Sequence, residues 1–219
     1  MRNVLVALAG ISALAIPAAA NASAIITFGS TTAIPGNNDF QGTLAGAPLN
    51  LTRVAAGTGT NITLNANSII TFYFLGSESG YSDTFKTTNA LPNFFTTETS
   101  SIENHFASPV FMGSDTFNLG SLINQVLFTG GVSATVGDAG FGIFLGANDV
   151  SGLSTNTFYF GYDDGGAGPD NDYDDFIVKA VVSPAPEPGT WATMLLGFAG
   201  IGIALRRRRR QQPALAQVA

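Results

Sequence analysis

The sequence predicts an all-β fold, an antiparallel β-sandwich of jelly-roll-like type, with an N-terminal signal peptide and a C-terminal single hydrophobic helix. Three observations predict it. Away from the two ends, no long stretch repeats with the helical period of about 3.6 residues. Short apolar, aromatic and β-branched runs recur instead, separated by clusters of Gly, Asn, Asp, Ser and Pro that suit turns. The two ends differ from everything between them in charge and hydrophobicity. Of nine basic residues in the 219, five are consecutive, Arg206 to Arg210. Residues 25–183 hold three bases against fourteen acids, a balance of −11, although the whole chain carries only −6.

The first element, residues 1–24, opens with Arg2, continues through the apolar run Val4 to Ile16 and turns small and polar from Pro17. A positive start, a short apolar core and a small-residue exit form a secretory signal peptide. Ala22-Ser23-Ala24 fits the exit, which places cleavage at Ala24, and Ala18-Ala19-Ala20 is a second candidate.

Residues 25–183 follow as the exported domain. Strands are expected at Ala24–Phe28, Asn61–Leu64, Ile69–Leu75, Pro109–Met112, Leu122–Thr129, Phe141–Leu145, Thr157–Tyr162 and Phe176–Val182. In Phe72-Tyr73-Phe74 and Phe158-Tyr159-Phe160 alternate rings face one side of a sheet. An irregular β-barrel is the alternative architecture. There is no internal repeat to suggest a solenoid.

Residues 184–210 form the next piece. Pro186-Glu187-Pro188 precedes an apolar run from Trp191 to Leu205, fifteen residues long, and the arginines Arg206, Arg207, Arg208, Arg209 and Arg210 close it. A comfortable bilayer span needs about 20 apolar residues, so this transmembrane helix would be short. Trp191 suits an interface, and the arginines suit the cytoplasmic side as a stop-transfer signal. Residues 211–219 would then be a cytoplasmic tail.

Pro186-Glu187-Pro188, then Gly189-Thr190-Trp191-Ala192, a glycine-containing apolar run and an arginine cluster resemble the PEP-CTERM sorting domain. The resemblance implies a Gram-negative bacterium that makes exopolysaccharide. It implies processing at the inner membrane by an exosortase, which brings its own catalytic cysteine. Pro186, Glu187, Pro188 and Trp191 would be recognition residues. The product would be released or attached at the cell surface or in the extracellular matrix.

Composition excludes much chemistry. The chain has no cysteine and one histidine. Disulfides, thiolate zinc sites and cysteine nucleophiles are therefore impossible. The acidic domain lacks the basic footprint that nucleic acid requires. His105 has no G-x-S-x-G elbow to serve. Glu78, Glu98 and Glu103 offer carboxylates for a glycosidase, but nothing selects a pair. The expectation is a non-enzyme, with a hydrolase ranked below a binding role.

One segment stands apart. Asp163, Asp164, Asp170, Asp172, Asp174 and Asp175 place six acids within thirteen residues of a Gly-rich stretch. Such crowding costs Coulomb energy unless water, salt or a cation screens it. Calcium takes six to eight oxygens at flexible geometry, and alternate carboxylates can supply them. Asp170, Asp172 and Asp174 have that spacing, with Asp163 and Asp164 on the other side. The segment is not an EF-hand, because Asp175 and Val181 stand where that loop needs Gly and Glu. A solvated acidic turn is the competing reading, and both stay open here. The segment is also similar to the D-x-D-x-x-D stretch before the last strand of many exported PEP-CTERM β domains, and the apolar strand and following residues of Ile69–Phe85 also resemble such proteins. That resemblance implies shared architecture and no activity.

The expected function is a structural or adhesive component of the cell surface or biofilm matrix, associated with exopolysaccharide or other surface proteins. The alternative is a carbohydrate-binding module, with Tyr73, Tyr81, Tyr159, Tyr162 and Tyr173 as sugar platforms. Phe outnumbers Tyr 17 to 5, and Phe usually means core.

Overall fold

The computed structural model describes residues 21–88, 109–165, 170–186 and 188–210. The expected signal peptide up to residue 20, Glu187, His105, Glu98, Glu103 and the tail 211–219 lie outside them. The chain divides into two compact units, one spanning Ala20–Ala185 and the other containing the C-terminal helix.

The first unit is mostly β, and every strand pairing among the described residues is antiparallel. Its elements are β1 (Ala24–Thr27), β2 (Thr32–Ala33), α1 (Gln41–Leu44), β3 (Leu51–Ala55), β4 (Asn61–Leu64), β5 (Ser68–Gly76), β6 (Thr84–Thr87), β7 (Val110–Phe117), β8 (Gly120–Ser121), β9 (Val126–Thr129), β10 (Ala134–Thr135), β11 (Phe141–Gly146), β12 (Leu153–Thr155), β13 (Thr157–Tyr162) and β14 (Phe176–Pro184). A seven-stranded sheet runs β2-β3-β11-β13-β14-β5-β7, and two narrower sheets run β12-β1-β4-β8 and β10-β9-β6.

The alternation read from the sequence sets the layers. Ile70, Phe72 and Phe74 of β5, Phe158, Phe160 and Tyr162 of β13, and Val178, Ala180 and Val182 of β14 all enter the main core. Ala24 and Ile26 of β1, Phe85 of β6 and Phe128 of β9 meet them there, so the narrow sheets pack on one face of the wide one. Phe128 is the hub. Its ring stacks on Tyr162 at 4.9 Å and lies 5.0 Å from Phe85, 5.3 Å from Phe141 and 5.6 Å from Phe176. Among the described residues most phenylalanines are thus core, as their ratio to tyrosine suggested. The opposite face of the wide sheet carries a second cluster. There Phe40 and Leu44 beside α1 cover Val54, Phe144, Leu75 and Ile177.

All eight expected strands are present, with β1 ending one residue early and β9 trimmed to its last four residues. Strands β3 and β6 and the two- and three-residue strands were not foreseen. The second unit contains α2 (Pro188–Arg210), a single helix of 23 residues that begins at a proline, where a missing N–H costs nothing. Its side chains Leu195, Leu196, Phe198, Ile201 and Ile203 are exposed. Among the described residues no helix is long and apolar enough to cross a membrane. The fifteen-residue apolar run rises about 22 Å, against about 30 Å of hydrocarbon.

Candidate functional site

The acidic segment connects β13 to β14, and its ends are fixed by the sheet. Asp163 N–H donates to the Gly140 carbonyl at 3.0 Å, and Asp175 N–H donates to the Tyr162 carbonyl at 3.1 Å. Between them Asn171 and Tyr173 adopt left-handed backbone, φ 53° and 63°. Such residues are uncommon outside glycine, asparagine and aspartate, and a tyrosine there needs support from its surroundings. Tyr173 has it: its ring lies in the outer core cluster and its hydroxyl donates to the Ala139 carbonyl at 3.0 Å. Gly161 is required for the same reason. A Cβ there would collide with the Tyr173 carbonyl oxygen and the Phe144 ring.

This conformation folds the segment into one wall of an open basin of about 1010 Å³. The other walls come from far along the chain: Asn37 and Asp39 before α1, Glu78 to Tyr81 after β5, and Gly130 to Val132 after β9. The loops are tied to one another. Asn37 Nδ2 donates to Asp172 Oδ2 at 2.9 Å, Asn38 Nδ2 to the Asp172 carbonyl at 2.8 Å, and Asp39 N–H to Asp174 Oδ2 at 2.6 Å. Ser79 Oγ donates to Asp164 Oδ2 at 2.7 Å, and Asp164 N–H to Asp175 Oδ2 at 2.7 Å.

Seven carboxylates line the basin: Asp39, Glu78, Asp164, Asp170, Asp172, Asp174 and Asp175. Among the described residues no lysine or arginine lines it. Arg53 directs its guanidinium to the carbonyls of Gly146 and Asp149. Electrostatics follow from that imbalance. Burial, and then the neighbouring carboxylates Asp172 and Glu78, push Asp174 up to about 8 even though the Asp39 amide works against them. Burial, with the charges of Asp164, Asp172 and Asp83, also pushes Asp175 up to about 8. Asp83 is pushed up to about 6, mainly by burial. Glu78, Asp164 and Asp172 move upward as well, burial being the first cause in each.

Of the six acids expected to act together, five line the basin, whereas Asp163 is fully buried and does not. Asp39, Glu78 and Asp83 were missed as partners of the segment. They sit dozens of residues upstream, and nothing local marks them. Among the described residues no three acidic or histidine side chains are gathered tightly enough, as they stand, to hold a metal ion.

The aromatic residues divide differently from the expectation. Tyr162 is fully buried and Tyr173 is 5% exposed, so neither offers a sugar platform. Tyr159, Lys179, Tyr73 and Phe111 instead form one row across β13, β14, β5 and β7, as their pairing register shows. Tyr73 and Phe111 meet edge to face at 6.1 Å, and Lys179 Nζ lies 5.8 Å from the Tyr73 ring centre. Beside the row, Pro48, Leu49, Pro109 and Leu75 wall a cleft of about 380 Å³ that Tyr159 and Lys179 also line.

At the other end of the domain, Ala24 is fully buried in β1 and paired with Leu64 and Thr155. Ala22 also belongs to the core, and Ser23 N–H donates to Asn65 Oδ1 at 2.8 Å. At the C-terminal boundary β14 ends at Pro184 and α2 starts at Pro188. No curated protein and no solved structure matches the chain. Residues 184–209 match the family model of the PEP-CTERM protein-sorting motif. The chain therefore carries a PEP-CTERM protein-sorting motif at its C-terminus, which implies an exported protein that exosortase sorts to the cell surface.

Proposed function

We propose that the β domain is a structural or adhesive component of the cell surface or extracellular matrix, released from its C-terminal helix by exosortase and without catalysis of its own. The observation that carries this reading is the sorting motif following directly on the last strand of the sheet. Cutting in that linker leaves the domain whole, because Val182 is the last core residue of β14. The signal peptide is removed, in this reading, after Ala18-Ala19-Ala20 and not at Ala24. Cleavage at Ala24 would strip Ala22 and Ala24 from the core and break the Ser23 hydrogen bond. Mass spectrometry of surface-fraction protein is expected to find an N-terminus at Asn21 and no peptide from Trp191 onward. An intact arginine tail on the surface protein would overturn the processing, and an N-terminus at Ile25 would overturn the upstream cleavage.

A second reading, polysaccharide binding, is favoured by the row Tyr159–Lys179–Tyr73–Phe111 and its cleft. Rings presented side by side suit the apolar faces of successive sugars, and Lys179 suits an acidic one. Retention on the producing organism's exopolysaccharide is expected to weaken on the order of tenfold in Tyr73→Ala, the equivalent of about 1.4 kcal/mol. Absence of retention by the unaltered protein would leave the structural role without a glycan ligand.

A further inference from the structure

We propose that the row Tyr159–Lys179–Tyr73–Phe111 binds an acidic polysaccharide, its rings stacking on sugar faces and the Lys179 ammonium pairing with an anionic group at a sugar edge. The inference rests on the polysaccharide reading above and adds the charge of the ligand to it. An exposed row of rings is not enough by itself, since rings on a sheet can be incidental. The further observation is how Phe111 reaches the row. Strands β5 and β7 pair Thr71 with Ser114 and Phe72 with Gly113, and uninterrupted pairing would set Met112 against Tyr73. A bulge skips Met112, so that Phe111 stands opposite Tyr73 instead. Met112 then packs against the core, and the Phe111 ring is put out into water. Gly113, at φ 147°, supplies a backbone conformation that other residues rarely adopt. Bulges are common at sheet edges and beside functional sites, where they re-aim a side chain. The side chain re-aimed here is an apolar ring, whose exposure gives the fold nothing.

The charge of the ligand follows from Lys179. Residues 25–183 hold fourteen acids and three bases, so a lysine without a carboxylate partner is unexpected. Lys179 forms no ion pair among the described residues. Its neighbours across the sheet are Tyr159 and Tyr73, and the next rung of the same face is Thr157, Val181, Thr71 and Ser114. Among the described residues no acid lines the cleft beside it. Its contact with the Tyr73 ring is a cation–π attraction, which leaves the ammonium protons for an acceptor. An anionic acceptor returns about twice the strength of a neutral one. Four strands at about 4.8 Å spacing make a platform about 14 Å long. A ring on either side of the cation fits sugars that stack by their faces and carry the anion at their edge.

The test measures retention of the full chain, in a neutral detergent, on immobilised polygalacturonate and on immobilised dextran, which is uncharged. Salt is held at about 0.15 M, so that remote carboxylates are screened within about 8 Å. Retention is expected to be on the order of tenfold stronger on polygalacturonate. Lys179→Met keeps the length of the stem and removes the charge. It is expected to lose that preference while its retention on dextran stays unchanged, and Lys179→Arg is expected to keep the preference. Melting curves of both variants check that the domain remains folded. No retention on either polymer would overturn the polysaccharide reading and this inference with it. Equal retention on the two polymers, or an undiminished preference in Lys179→Met, would overturn the charge assignment alone and leave a surface for neutral sugars.

Discussion

Replacing Phe128 by alanine is expected to destabilise the domain by about 3–5 kcal/mol, a fall in melting temperature on the order of 10 °C. Phe128 is fully buried and belongs to the small three-stranded sheet, yet its ring touches residues of the wide one. It lies within 6.2 Å, centre to centre, of Phe85, Phe141, Phe160, Tyr162 and Phe176. Truncation removes the transfer energy of the ring and leaves a cavity that rigid neighbouring rings cannot fill. The control is Phe111→Ala on the outer face, where the ring is 62% exposed and the change is expected to fall near ±0.5 kcal/mol. Thermal melts followed by circular dichroism compare the two. Similar losses in both variants would mean that the sheets are not packed through this hub.

Acidification is expected to stabilise the protein, the reverse of the usual behaviour of carboxylates. Asp174 and Asp175 are pushed up to about 8 and Asp83 to about 6, against about 3.9 in an unfolded chain. Between those limits the folded state holds more protons than the unfolded state, so stability falls as pH rises. The contribution is complete below about pH 4. Asp83 loses its share as pH passes about 6, and Asp174 and Asp175 lose theirs as it passes about 8. The melting temperature is therefore expected to drop by several degrees between pH 5 and pH 9. A melting temperature that rises across this range would show that the basin is solvated enough to keep its acids ionised.

Much of the domain is legible in the sequence because strand formation here is written locally. Ser68–Gly76 and Phe176–Pro184 alternate between faces along their whole length, so their strands and inward residues could be named. Strands β3 and β6 could not. Leu51–Ala55 carries Arg53 and Thr84–Thr87 carries Lys86, and each is a strand because a distant partner, β11 or β9, supplies its hydrogen bonds. The cleavage site shows the same limit. Ala22-Ser23-Ala24 has the right small residues, and only the pairing of Ala24 with Leu64 and Thr155 reveals it as core. The length of the apolar run in α2 was readable, and it already fell short of a bilayer.

The sequence by itself determined the address and the material of this protein. The sorting motif, the arginine run, the absence of cysteine and the crowding of aspartates between β13 and β14 depend on residues that are neighbours along the chain. Only the tertiary structure decided what surrounds those aspartates. Coulomb energy depends on distance in space, and the sheet brings Asp39, Glu78 and Asp83 beside a segment that begins some eighty residues or more further on. Burial, which no single residue encodes, then turns a charged loop into a set of carboxylates whose ionisation the fold itself opposes.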